Sequence, residues 1–496
     1  MLYQSTRGSS EKITAAAAIT QGLSENGGLF VPESFPKLSK QAISNLVSKP
    51  YKDRAAYIIS QFLDDFSPEE IASYSAEAYS EPGFDSPAIA PLHKLDSTTH
   101  FLELWHGPTC AFKDMALQML PRLLTASLRK TNENREVCVL VATSGDTGKA
   151  ALEGFRDIPG TRIMVFYPSE GVSDVQKLQM TTQNGGNVNV VAVKGNFDDA
   201  QTGVKVIFSD EKLRNELNEA GFFLSSANSI NWGRLVPQIA YYVSAYCDLA
   251  ATGDIEIGDK INFCVPTGNF GNILAGYYSE RMGLPIGKLV CASNRNDVLT
   301  QFINTGVYDK NRQFFTTTSP SMDILVSSNL ERFLFEISGN NGRVVTEYMS
   351  ALSVDGKYNV SKPMKDEIDR ILAGGMCTEE ETMQTIKEVF IKENYLMDTH
   401  TAVAYKVLNS YRAKSGDSTP TVVVSTASAF KFCDSVLDAL GKVHKHDGAE
   451  LLDELSSVTG NPVPLPLSNL KDRTPRFSEV VAVENMKSAV QRFLET

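Results

Sequence analysis

The chain has 496 residues, 42% of them hydrophobic and 21% charged, with a formal net charge of −12. That length exceeds what one hydrophobic core usually holds, so two or three lobes are expected, and the surplus of carboxylates argues against general nucleic-acid binding. An anionic small ligand stays possible, provided that its cations are supplied locally.

Residues 1–95 mix helical stretches such as KQAISNLVSKPYKDRAAYIISQFL with turns such as SENGGLFVP, and are read as an N-terminal subdomain. The opening MLYQSTRGSSEKITAAAAIT does not read as a signal peptide, because its alanine run is short and polar-flanked. From Phe101 onward β-rich runs recur and lead through turns into helical runs: VCVLVA (137–142), RIMVFYP (162–168), VNVVAV (188–193), INFCVP (261–266), LVCAS (289–293) and TVVVST (421–426). Continuous apolar strands alternating with helices predict parallel sheets covered on both faces, hence an α/β fold. The expected division is a small α/β lobe over residues 126–224 and a large lobe over 96–125 and 225–496. The charged, mostly helical stretch 338–394 reads as an elaboration on one lobe, and TGNPVPLPLSNLKDRTP (459–475) as a surface connection before a final short strand and helix. Seven cysteines include no C-x-x-C pair. That argues against a disulfide framework or a zinc site, so no metal is expected and a reducing, cytoplasmic setting is. No apolar run reaches the roughly 18 residues of a membrane span.

The segment HGPTCAFKDMALQ (106–118) places Lys113 at a helix start, behind the apolar pair Ala111–Phe112. Burial and the positive end of a helix dipole both disfavour the ammonium form, which suits a lysine that must attack an aldehyde. Three strand ends then bear on ligand binding, because open α/β sheets bind ligands beyond the carboxyl ends of their strands. After VCVLVA, the turn Thr143–Gly148 is expected to open a helix at about Lys149, whose free amides make an anion site. A nucleotide P-loop is excluded there: Gly145 leaves two residues before Gly148–Lys149 where four are needed, and Ala150 stands where a hydroxyl should hold magnesium. After INFCVP, Gly268 and Gly271 flank Asn269–Phe270 ahead of a helix from about Asn272, a turn that lets backbone approach a phosphate. The third strand ends in Ser425–Thr426, which alone reads as a helix N-cap. One buried lysine with two phosphate-type turns, and no metal or nucleotide signature, suits a pyridoxal phosphate enzyme.

The sequence resembles the threonine synthases, pyridoxal-phosphate enzymes of the tryptophan-synthase-β-like fold (fold type II). The resemblance runs through STRG (5–8), QGLSENGGLFVP (21–32), LELWHGPTCAFKDMALQ (102–118), ATSGDTG (142–148), QMTT (179–182), NSINWGRL (228–235), PTGNFGNILAGYY (266–278), SPSMDILVSSNLERFL (319–334), DTHTAVAY (398–405) and STASAFKF (425–432). It implies that Lys113 forms the Schiff base, that Gly268, Asn269, Phe270 and Asn272 hold the cofactor phosphate, and that Thr426 hydrogen-bonds the pyridine nitrogen. It further implies that Thr143, Ser144, Asp146 and Thr147 receive the substrate's α-carboxylate. Asn231 and Arg234 are candidates for its phosphate and Lys177 is a weaker one, while His106 is expected to shape its turn. Four positions depart from the common family pattern. PTGNFGN carries Thr267 and Asn272 in place of a serine and an aspartate, STASA puts Ser428 where a histidine is common, and Cys110 replaces an aromatic. The implied reaction turns O-phospho-L-homoserine and water into L-threonine and phosphate. The rival is a phospho-lyase that releases 2-oxobutyrate and ammonia. A dehydratase, which needs no second phosphate site, and a non-catalytic sensor are weaker alternatives. The small-molecule substrate is the expected partner, with no nucleic acid or membrane, in a monomer or homodimer.

Overall fold

The computed structural model describes residues 1–8 and 11–495. Its β-branched runs form two mainly parallel sheets. The larger is ordered Leu372–Met376, Ile286–Ser293, Ile261–Pro266, Thr421–Ser425, Thr99–Glu103, Leu92–Lys94, and only the last strand runs antiparallel to its neighbour. The smaller is ordered Val480–Val481, Val188–Val193, Thr161–Pro168, Glu136–Ala142, Phe222–Ser225, parallel throughout. Ile261–Pro266 and Thr421–Ser425 are buried at every residue, because helices cover both faces and leave no solvent side on which a polar residue would gain.

Trp232–Thr252, 21 residues long and buried along most of its length, is the central helix, as expected of one that is apolar all round. The N-terminal region packs against it. Buried Arg54, on the Tyr51–Ser60 helix, donates to the Ser244 hydroxyl at 2.8 Å and pairs with Asp248 at 2.5 Å. Arg7 ties the first strand's exit to Glu331 at 2.9 Å.

Several boundaries differ from the sequence reading. The helix expected at about Lys149 opens at Asp146, since Gly145 (φ 135°) already turns the chain and the Thr143 hydroxyl accepts from the Gly148 amide. The stretch 338–394 does more than decorate a lobe, because Leu372–Met376 is an edge strand of the large sheet. Leu92–Lys94, assigned to the N-terminal subdomain, pairs with Thr99–Glu103 in that same sheet. Nor does the large lobe run to residue 496 as expected. Val480–Val481 pairs with Val188–Val193, and Met486, Val490 and Leu494 pack into the small-lobe core, so residues 480–494 belong to the small lobe. Ser425 and Thr426 do not cap the following turn. That role falls to Ser428, whose hydroxyl accepts from the Phe430 amide, while Ser425 Oγ accepts from Trp105 Nε1 at 3.1 Å.

Candidate active site

The carboxyl ends of both sheets face one cleft of 280 Å³. Lys113 reaches it from a turn stitched to the end of the Thr421–Ser425 strand. The Phe112 amide donates to the Thr426 carbonyl at 2.8 Å, and the Ser428 amide to the Cys110 carbonyl at 3.1 Å. The Thr109 amide and hydroxyl close the turn on the Asp114 carboxylate at 2.9 and 2.7 Å. Lys113 Nζ, on a residue 8% exposed, donates to Ser321 Oγ at 3.2 Å and lies 3.6 Å from Asp146 Oδ2. Burial pushes this amine down to about 8; Asp146 opposes the shift, while the Arg234 and Lys431 charges add to it. A usable fraction is therefore neutral near pH 7, as the sequence reading required.

Opposite the lysine, the Ile261–Pro266 strand breaks into the Thr267–Phe270 turn, and the Gly271–Met282 helix begins behind Phe270 in the left-handed region (φ 63°). Gly268 has to be glycine on steric grounds: a Cβ there would sit 2.3 Å from the Ser321 carbonyl oxygen. Ser327 Oγ and the Asn329 amide hold the Gly268 and Asn269 carbonyls at 2.8 and 3.1 Å. Asn272 Oδ1 accepts from the Tyr241 and Tyr242 hydroxyls at 2.7 and 2.8 Å, which leaves Nδ2 buried without an acceptor. An orphaned buried donor costs about 1–3 kcal/mol unless an acceptor meets it. Here, at a helix N-terminus beside a glycine turn, a phosphate oxygen fits. Thr426 lines the same cleft from the third strand end. The residues present thus fit pyridoxal phosphate: a depressed lysine, an anion cradle and a hydroxyl for the ring.

The substrate side is less uniform than expected. Thr143, Ser144 and Thr147 line the cleft, and Thr143 Oγ1 shapes the loop by accepting from the Gly145 and Gly148 amides at 3.0 and 2.9 Å. Asp146, expected beside them as a carboxylate ligand, is buried behind the cleft lining, with Oδ1 held by Lys431 at 2.9 Å and Gln176 at 2.8 Å and Oδ2 facing Lys113. Despite burial, the Lys431 and Lys113 charges keep it ionised well below the usual carboxylate range. An ionised carboxylate repels another, so its part is to hold cations. Arg234 lines the cleft, 4% exposed, and donates to the Ala227 carbonyl at 2.6 Å; its buried Nε has no partner and no carboxylate pairs with it. Burial pushes it down to about 10.

Asn231 does not reach the cleft. It caps the central helix through the Gly233 amide (2.8 Å) and donates to the Ile19 carbonyl (3.0 Å). Lys177 is exposed on the Asp174–Thr181 helix, outside the cleft. His106 bonds Asp85 at 2.6 Å and Glu103 at 3.0 Å, which outweigh burial and raise it to about 9, so it braces the turn. Burial pushes the Cys110 thiol far up, which removes it as a nucleophile. Among the described residues no group of three or more His, Cys, Asp or Glu is placed to hold a metal ion, and no helix is long and apolar enough to cross a membrane.

Three participants carried no role in the sequence reading. Ser321 meets Lys113 from 208 positions away. His400 lines the cleft with Nδ1 2.7 Å from Asp398 and Nε2 accepting from the Ser321 amide at 3.2 Å. Lys431 is fully buried on Asp146. Their only sequence signal was membership of the segments SPSMDIL, DTHTAVAY and STASAFKF.

Comparison with known proteins agrees with this geometry. A family profile described as pyridoxal-phosphate dependent enzyme matches residues 79–427, which take in Lys113, both glycine turns and Thr426. Fold and site together define the class as a fold-type II pyridoxal-phosphate enzyme. Profiles described as the threonine synthase N terminus and C-terminal region match residues 2–79 and 401–493. The threonine synthase of Pseudomonas aeruginosa is 39% identical over 437 residues, covering 88% of this chain and 90% of that one. That of Saccharomyces cerevisiae is 35% identical over 523 residues, covering 99% and 98%. The chain belongs to the threonine synthase family. It superposes on the pyridoxal-phosphate-bound threonine synthase of Brucella melitensis with a TM-score of 0.88, at 36% identity over the whole of both chains. Human threonine synthase-like 1 is 40% identical over 443 residues, but the match takes in only 59% of that longer relative.

Proposed function

We propose that this protein converts O-phospho-L-homoserine and water to L-threonine and phosphate, with Lys113 as the lysine that carries the cofactor. The observation that carries the reading is Arg234: a buried guanidinium on the cleft wall, without a carboxylate partner, in a site that already has a separate cradle for the cofactor phosphate. A second phosphate site is what a phosphorylated substrate needs. Gly268, Asn269, Phe270 and Asn272 hold the cofactor phosphate in this reading, Thr426 meets its ring nitrogen, and Thr143, Ser144 and Thr147 receive the substrate α-carboxylate. Burial of all seven cysteines as free thiols is consistent with a cytoplasmic setting, as a monomer or homodimer.

Bound pyridoxal phosphate supplies an electron sink for negative charge developing beside the substrate amine. The protein's part is positional and protonic. Lys113 Nζ would hold the cofactor, and it is the amine placed to act as a base once substrate is bound. Ser321 Oγ steers that amine, and because burial leaves part of it unprotonated near neutral pH it can take the proton from Cα and, after passing that proton on, one from Cβ. Arg234 holds the phosphate while its bond to Cγ breaks. Threonine is complete once Cγ and Cα have each regained a proton and the hydroxyl of water has added at Cβ, the water's other proton leaving with the phosphate.

A product assay on phosphohomoserine tests the reading. Threonine and phosphate in equal amounts are expected; 2-oxobutyrate with ammonia would establish the phospho-lyase instead. Arg234→Ala is expected to raise KM for phosphohomoserine at least about tenfold, and unchanged kinetics would remove Arg234 from the phosphate site.

A further inference from the structure

Outside the cleft, positive charge collects in a separate cavity of about 550 Å³ beside the Asp146–Phe155 helix. Lys149, Arg156, Arg473 and Arg476 line it, and among the described residues Glu153 is the one carboxylate on its wall. Glu153 is already shared, 3.0 Å from Lys149 and 2.7 Å from Arg156. Arg473 has only the Asn469 amide oxygen, at 2.7 Å, and Arg476 donates to the carbonyls of Gln183 and Gly185 at 2.7 and 3.3 Å. Lys149 is 3% exposed and its amine is lowered, by burial first and in part by the charge of Arg473, so these cations crowd one another. In a chain of net charge −12, four cations around one cavity, two of them sharing a carboxylate and two with only neutral oxygens, is an arrangement that an anion relieves.

We propose that this cavity is a binding site for a small polyanion, phosphorylated or polycarboxylate, distinct from the catalytic cleft. Its volume exceeds the needs of a single phosphate, and two arginine forks suit two anionic groups. Its walls come from the helix of Lys149 and from the 465–476 segment, which are more than 300 positions apart, so an occupant fastens the C-terminal segment onto the small lobe. The site also backs onto the catalytic lysine's turn: Pro108 forms part of the wall, and Asp146 lies one turn before Lys149 on the same helix face.

Calorimetric titration of the holoenzyme at low salt tests the site, with inorganic pyrophosphate and citrate as separate probes. In Arg234→Ala, which weakens the cleft's own anion site, one saturable site per chain is expected to persist. In Arg473→Gln the affinity of that site is expected to fall about tenfold, while kcat with phosphohomoserine stays at the wild-type value. Thr474→Glu, which adds a carboxylate to the wall, is expected to weaken it likewise. Binding of pyrophosphate alone identifies a phosphate-bearing ligand, and binding of both probes a general polyanion. Loss of all saturable binding in Arg234→Ala, or undiminished affinity in both wall variants, would overturn the proposal.

Discussion

The Lys113 amine, brought down to about 8, has a neutral fraction of about one tenth at pH 7, against roughly one in 3,000 for a lysine at its ordinary 10.5. In the cofactor-free protein, competitive acylation followed by peptide mass spectrometry should therefore show the Lys113 rate rising about tenfold per pH unit and levelling near pH 8. A rate still climbing at pH 10 would mean an ordinary lysine. The folded value lies below the unfolded one, so the native chain binds fewer protons between about pH 8 and 10.5, and this residue's contribution to stability rises with pH across that window. Lys431 tunes the same group. Its charge repels the Lys113 ammonium directly and also occupies Asp146, at 2.9 Å. Lys431→Met removes the repulsion and leaves Asp146 to Lys113, so the acylation plateau should move to higher pH; a shift to lower pH would refute this electrostatic account.

At the scale of elements, one close approach joins the two halves of the site. Gly154, in the Asp146–Phe155 helix, lets that helix approach the carbonyl of Leu117 in the Asp114–Leu117 helix, where an added Cβ would lie 2.1 Å from the oxygen. Helix propensity alone makes Gly→Ala stabilising by about 1 kcal/mol. Forced separation of packed backbone costs about 1–3 kcal/mol, and a carbonyl cannot swing aside as a side-chain tip can. Gly154→Ala should therefore lower the urea midpoint. The expected outcome for Gly268→Ala is different: its clash is with the Ser321 carbonyl, in the wall that presents Ser321 Oγ to Lys113, so cofactor affinity should fall more than global stability. Equilibrium titration of the cofactor-free protein with pyridoxal phosphate, beside a thermal melt, separates the two effects.

On the scale of the molecule, residues 480–494 close the small lobe rather than trail from the large one. Val480–Val481 covers the edge of the Val188–Val193 strand, while Val481, Met486, Val490 and Leu494 are buried in the core of that lobe. Burying four such side chains contributes roughly 6–12 kcal/mol, comparable with the whole stability of a typical domain, about 5–15 kcal/mol. Removal of residues 477–496 should therefore unfold or aggregate the small lobe and expose a strand edge. Size-exclusion chromatography and limited proteolysis would show it; a soluble, protease-resistant truncation would contradict the assignment.

The sequence by itself determined the α/β class, the strands at 137–142, 188–193 and 261–266, the two glycine turns at strand ends and the burial of Lys113, because each is written in neighbouring residues: an apolar run, a glycine spacing, an apolar pair beside a lysine. Only the tertiary structure decided which polar side chains face the cleft. Asn231 and Arg234 stand three positions apart at the start of one helix, yet one spends its amide on the cap and the other lines the cleft with its Nε unpaired. Ser321, His400 and Lys431 join Lys113 and Asp146 only when the two sheets bring their carboxyl ends together. Local pattern encodes conformation, whereas the direction of a polar side chain follows from competing partners hundreds of residues away, which no window of sequence contains.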